Sequence, residues 1–188
     1  MIKTMVLALS MALSFSAKAD INTMVSDINA TILNSTEARG VFDWKVGDQA
    51  TYDLNIGGFI KGKMVMGVKA VSADEVVLTQ DMDLGFMGKQ ACEIAMNPNT
   101  GETKSFVCNG QAQDPNAGGS VEIIEQKEDS VKVPAGTFVC VYIKAKQGEN
   151  IIQQWINPKQ VPVLGLVKTL APSQMGEVNI QLVSFKKM

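Results

Sequence analysis

The sequence predicts a mainly β protein: a strongly curved antiparallel sheet or open β-barrel of about ten short strands, with one N-terminal helix. Three observations carry this expectation. From Trp44 almost to the C-terminus, apolar and polar residues alternate with a period of two. Clusters of Gly, Pro, Asn and Asp punctuate that alternation at short intervals. Before Gly40 the period is instead helical.

Taken in order, residues 1–19, MIKTMVLALSMALSFSAKA, read as a cleavable export signal. Lys3 gives the positive start, Met5 to Phe15 an apolar run too short to span a bilayer, and Ala17-Lys18-Ala19 the cleavage signal. Cleavage after Ala19 is expected, leaving residues 20–188 as one domain in the periplasm or outside the cell. No cysteine follows the cleavage point until Cys92, so no lipid anchor is expected there, and the chain should not span a membrane once the signal is removed.

Ile21, Met24, Val25, Ile28, Ile32 and Leu33 recur at i, i+3, i+4 and i+7, with Asp20 placed as N-cap. An amphipathic helix over about 21–34 follows, broken by Asn34-Ser35-Thr36 and Gly40. Beyond Trp44, Ile60, Met64, Met66, Val68 and Ala70 share one face of a strand, against Lys61, Lys63 and Lys69. Val76, Leu78, Met82 and Leu84 do the same against Glu75, Thr79, Asp81 and Asp83. Later strands are expected at 120–126, 129–133, 137–146, 150–157, 163–170 and 176–185. Gly57-Gly58 reads as a hairpin turn before Phe59, and Pro134-Ala135-Gly136 as a tight reversal. No linker or repeat divides the chain.

An outer-membrane barrel would also alternate, but it needs aromatic girdles at both interfaces. Aromatic residues are 6% of this chain. Acidic residues outnumber basic ones, 19 to 17, and loss of Lys3 and Lys18 widens the excess. Without a basic patch, nucleic acid is not an expected partner. The short charge runs, Lys127-Glu128-Asp129 and Lys186-Lys187, read as solvated turns or ends.

The chain has no histidine. That removes the Ser-His-Asp and Cys-His nucleophile systems and the commonest metal ligand. The expectation is a protein that is not an enzyme, without metal or cofactor.

Three cysteines allow three single pairings. A hairpin turned over Asn97 to Thr103 and centred on Thr100 sets Met96 across from Lys104, Ile94 across from Phe106, and Cys92 across from Cys108. Directly opposed residues stand about 4.5–5.5 Å apart at Cα, within disulfide reach. A Cys92–Cys108 staple is therefore predicted, closing a loop of roughly 15 residues and contributing about 3 kcal/mol. Cys140 is left out of this pair, either as a free thiol buried as a small apolar residue, the commoner case, or paired with another molecule.

The methionines Met64, Met66 and Met82 fall on the dry face, where core or pocket lining is favoured over Cu(I) ligation. Asp81 and Asp83 read as solvated rather than paired for catalysis. Asn97 to Glu102 lacks the length of a calcium loop. Trp155 lies in a run, Ile151 to Ile156, that is apolar on both faces, and reads as core or as a ligand wall.

Several phrases also carry a resemblance. Trp44-Lys45-Val46-Gly47-Asp48 before Tyr52, Phe59 through Gly62, Val133-Pro134-Ala135-Gly136-Thr137-Phe138, the Trp155 strand and Gly165-Leu166-Val167-Lys168 together resemble periplasmic β-rich proteins of the DUF3108-like group. That resemblance implies a curved half-barrel, similar at fold level to periplasmic lipoprotein carriers, and implies no catalytic residues. The function expected is a soluble binding or carrier protein, holding a lipid, an acyl chain or a lipidated partner in an apolar cavity. Its lining would be Met64, Met66, Val68, Leu78, Met82, Ile94, Phe106 and Trp155. The alternative is an envelope scaffold that binds another protein and whose core is filled.

Overall fold

The computed structural model describes residues 42–114 and 121–188. The predicted export signal and the predicted helix over 21–34 lie outside the described residues. Within them the chain forms eleven strands in one antiparallel sheet. These are β1 (Gln49–Ile56), β2 (Ile60–Val71), β3 (Val76–Asp83), β4 (Lys89–Met96), β5 (Thr103–Cys108), β6 (Gln111–Gln113), β7 (Val121–Val133), β8 (Gly136–Gln147), β9 (Asn150–Ile156), β10 (Leu166–Ser173) and β11 (Gly176–Lys186). A single 3₁₀ turn, Gly85–Met87, separates β3 from β4.

Spatial order is β6-β5-β4-β3-β2-β1-β11-β10-β9-β8-β7. Every sequential pair is a hairpin neighbour except β6 and β7, which stand at the two edges, so the sheet is open. Its one non-local pairing, β1 with β11, joins the two ends of the described chain. The sheet is also strongly curled. Ala135, in the β7–β8 turn, lies three to four strand spacings from β11, about 14–19 Å if the sheet were flat. Its N–H nevertheless donates to Leu182 O at 3.0 Å, and Phe138 meets Phe185 at 6.4 Å between ring centroids.

The alternation places the core as expected over β2 and β3. Ile60, Met64, Met66, Val68, Val76, Leu78, Met82 and Leu84 are all buried. Ala70 is exposed instead, because a register shift between Val68 and Ala70 breaks the parity. Gly57 and Gly58 take φ of 61° and 83° in the predicted β1–β2 turn, a conformation a Cβ disfavours.

Three expectations are corrected. Segments 120–126 and 129–133 are one strand, β7, because β8 pairs along its whole length from Val121↔Gln147 to Val133↔Gly136. Lys127-Glu128-Asp129 is thus mid-strand and not a turn; an edge strand can hold charge without burying it. The strand expected at 163–170 begins at Leu166. The apolar residues before it, Val161, Val163 and Leu164, are buried from a loop. The Trp44 indole N–H donates to Val163 O at 2.6 Å and ties that loop down.

The N-terminal end of β1 is fastened by Asp48, which is 1% exposed. One carboxylate oxygen accepts the Lys45 N–H at 3.1 Å, and the other accepts the Met188 N–H at 2.8 Å. The Tyr52 hydroxyl donates to Leu166 O at 3.2 Å, and burial pushes its pKa well above the ordinary phenol value. Trp44, Asp48, Tyr52 and the 163–166 segment, which carried much of the sequence resemblance, therefore meet as structural ties.

Candidate functional site

Opposed residues of an antiparallel pair project to the same side of a sheet, so the register assigns each side chain a face. One face is dry. Across it run the rows Leu182–Tyr52–Met64–Met82, Met66–Gln80–Cys92–Cys108 and Val68–Leu78–Ile94–Phe106. Seven of the eight predicted lining residues, Met64, Met66, Val68, Leu78, Met82, Ile94 and Phe106, come together there on β2 to β5. All seven are buried, at 1–4% exposure.

The eighth, Trp155, is on the opposite face, which corrects the expectation that it joins this set. Its cross-strand partners are Tyr142 and Lys168, and Lys168 pairs in turn with Gln181. Ile152 and Ile156, its neighbours in the both-faced apolar run, take the dry side. Trp155 meets Tyr142 in a tilted contact, 5.0 Å between ring centroids, with Lys168 Nζ 5.1 Å from the Trp155 ring centroid. Lys127 Nζ stands 5.2 Å from the Tyr142 ring, and its own pKa is raised by its bond to Glu125. This aromatic pair between two cations is packed and hydrogen-bonded rather than hollow.

Beside the sulfurs of the dry face lies a polar side chain, Gln80. Gln80 is 3% exposed, and its amide N–H contacts Met64 Sδ at 3.0 Å and Met82 Sδ at 3.9 Å. Sequence reasoning passed over Gln80, although its even position between Leu78 and Met82 was the available signal. Methionines are unbranched and polarizable, so this patch can repack around an apolar guest with little rotamer strain.

Cys92 and Cys108 form the predicted disulfide, with Cα atoms 4.1 Å apart. Cys92↔Cys108 and Ile94↔Phe106 face each other as the hairpin register required. Met96 pairs with Thr103 instead of Lys104, because the turn from Asn97 introduces a shift after Ala95. Asn97 Oδ1 accepts the N–H of Asn99 and of Thr100 and shapes that turn. Cys140 is a buried free thiol. Burial first, and the Asp129 charge second, push its pKa up to about 12.

Asp81 and Asp83 are exposed. Asp83 is nevertheless anchored. The Gly85 amide, at 3.0 Å, and then the Lys89 ammonium, at 3.1 Å, hold its carboxyl below the usual range. Two open hollows, of about 590 and 520 Å³, lie on the face opposite the dry one. None of the eight predicted lining residues borders either hollow. Among the described residues no helix is long and apolar enough to cross a membrane, which says nothing of strands.

No family model matches the chain, and no curated protein matches it. Some solved structures are similar to it. The hypothetical protein CT021 of Chlamydia trachomatis is 11% identical, with a TM-score of 0.51 over 85% of this chain and 91% of that one. An exported protein with a YmcC-like fold from Bacteroides fragilis is 11% identical, with a TM-score of 0.44 over 78% and 98%. MucB is 12% identical, with a TM-score of 0.41, and this chain spans 87% of itself and 58% of MucB. The DUF3108-like resemblance thus has no matching family behind it. What the chain shares with the Chlamydia protein is its fold.

Proposed function

We propose that this chain is an exported, non-enzymatic binding or carrier protein that holds an apolar ligand against its dry face. The ligand class is a lipid, an acyl chain or the lipid of a lipidated protein, and no cofactor takes part. Export places it in the periplasm or outside the cell, with the signal cleaved after Ala19. The Cys92–Cys108 bond fits an oxidising compartment.

The carrying observation is the methionine patch: Met64 opposite Met82, with Met66 one row away, on an open sheet. Binding would gain roughly 25 cal/mol per Å² of apolar surface buried, before the costs of association. Native mass spectrometry after mild extraction, followed by uptake of a fluorescent fatty acid, tests it. A protein that carries no lipid and takes up no fatty acid overturns it.

A second reading, an envelope scaffold with a filled core, is favoured by the near-complete burial of those same seven side chains. A stoichiometric protein partner recovered from envelope extracts, with no lipid, would select it.

A further inference from the structure

We propose that the face opposite the methionine patch carries a second, polar binding site for an extended neutral oligosaccharide. This site is independent of apolar carriage.

The two hollows on this face are neighbours. The larger, about 590 Å³, is bordered by Asp53, Asn55, Lys61, Lys63, Asn179 and Gln181. The smaller, about 520 Å³, is bordered by Gln153, Leu170 and Glu177 among others. Leu170 is the direct cross-strand partner of both Asn179 and Gln153. The linings of the two hollows, which share no residue, therefore meet at the Asn179–Leu170 pair and together mark out one band, the proposed trough. It crosses β3, β2, β1, β11, β10 and β9, five strand spacings, or about 24 Å.

The chemistry of the lining selects the ligand. Carboxylate, ammonium and carboxamide groups alternate along the trough: Asp83, Lys63, Asp53 and Gln181 are successive cross-strand partners. Asn55 pairs with Lys61 on one side and Asn179 on the other, and Gln181 Nε2 donates to Asn179 Oδ1 at 3.2 Å. Interspersed donors and acceptors suit hydroxyl groups, each of which both gives and takes a hydrogen bond. With both signs of charge mixed, an anionic polymer such as nucleic acid gains little. A peptide adding to a sheet needs a free edge, whereas here the backbone is already paired on both sides. Two phenyl rings stand out in solvent, one in the turn after β3 and one in the β1–β2 turn, and can cover the flat face of a sugar. Phe86 follows the lining residue Gly85 and is 85% exposed; Phe59, two positions before Lys61, is 66% exposed.

The test is an amide-resolved NMR titration of the full exported chain with tetrasaccharides of glucose, mannose and N-acetylglucosamine. An eight-residue neutral peptide runs in parallel. At least one saccharide should bind saturably, with shifts at Asp53, Asn55, Lys63, Asn179 and Leu170. Asn55→Ala/Asn179→Ala, at surface positions, should keep the fold and bind about tenfold or more weakly. Absence of binding by all three saccharides overturns the proposal. So do shifts confined to the dry face, undiminished binding by the folded double variant, or binding of the peptide alone. Fatty-acid uptake, measured on the same double variant, should be unchanged.

Discussion

Trp155 on β9 and Asp129 on β7 are joined across the intervening strand β8: the indole N–H donates to Asp129 Oδ2 at 2.8 Å. That bond, assisted by the Ser130 amide and Lys127, holds the Asp129 carboxyl below its ordinary range against an opposing burial effect. A carboxyl lowered in the folded state stabilises fully above its unfolded value near 3.9, and the contribution disappears as pH falls through the folded value. Acidification below about pH 4 should therefore change Trp155 emission. In Asp129→Asn the part of the fluorescence transition due to this carboxyl should be absent; an unchanged transition would refute the assignment.

Opening the Cys92–Cys108 bond should loosen the unfolded chain far more than it disturbs the folded one. The two cysteines are 16 positions apart. Cys92→Ala/Cys108→Ala should lose about 3 kcal/mol of unfolding free energy. Urea denaturation of oxidised wild type against the double variant measures it.

Cys140 should be inert in the native protein. Its thiol is 3% exposed and its pKa stands at about 12. At mildly alkaline pH a thiol-exchange reagent should label nothing until denaturant is added, then label one thiol without reductant. The same shift stabilises the fold below the unfolded thiol value near 8.5, and that contribution is lost as pH rises through the folded value.

Gly62 is a point of close approach. A Cβ there would stand 2.6 Å from the Asp83 carbonyl oxygen, where backbone must move to make room. Gly62→Ala should cost about 1–3 kcal/mol. Since Gly62 borders the larger hollow, NMR should also show displaced amides at Asp83 and Leu84.

Methionine adaptability can be separated from methionine volume. Met64→Leu/Met66→Leu preserves apolar bulk, so stability should change by less than about 1.5 kcal/mol. Fatty-acid uptake should weaken, because branched side chains repack less freely. Equal uptake by the double variant would remove the methionine patch from the proposed mechanism.

Much of the sheet was legible because one strand face is dry. Ile60, Met64, Met66, Val68, Val76, Leu78 and Met82 declare their face by parity alone. The disulfide followed from a single hairpin, since a short turn dictates register over the next few pairs. Trp155 was not legible. In a run apolar on both sides, parity carries no sign, and only the pairing with Lys168 shows which way the indole points.

Residues 157–165 misled for a related reason. Val161, Val163 and Leu164 have the hydrophobicity of a strand, yet they are buried by a loop held through the Trp44 indole. The polar trough was hidden for a different one. Asn55 and Asn179 become neighbours only when β1 pairs with β11, and neither residue's local surroundings reveal that pairing. Carboxamides scattered over separate strands look like ordinary solvated positions until the register assembles them.

An open sheet of eleven strands presents two terminal backbones that could recruit further copies of themselves. At one end β6 is only three residues long and offers little to extend. At the other, β7 runs for thirteen residues, long enough to template a fibril. Glu122, Glu125, Lys127, Glu128, Asp129 and Lys132 are spread along it. A copy docking there in the antiparallel register centred on Lys127 would set Lys127 against Lys127 and Glu125 against Asp129. Charge spread in this way along an edge disfavours that register, and it sits on the longer of the two edges, where a further strand would otherwise find the most backbone to pair with.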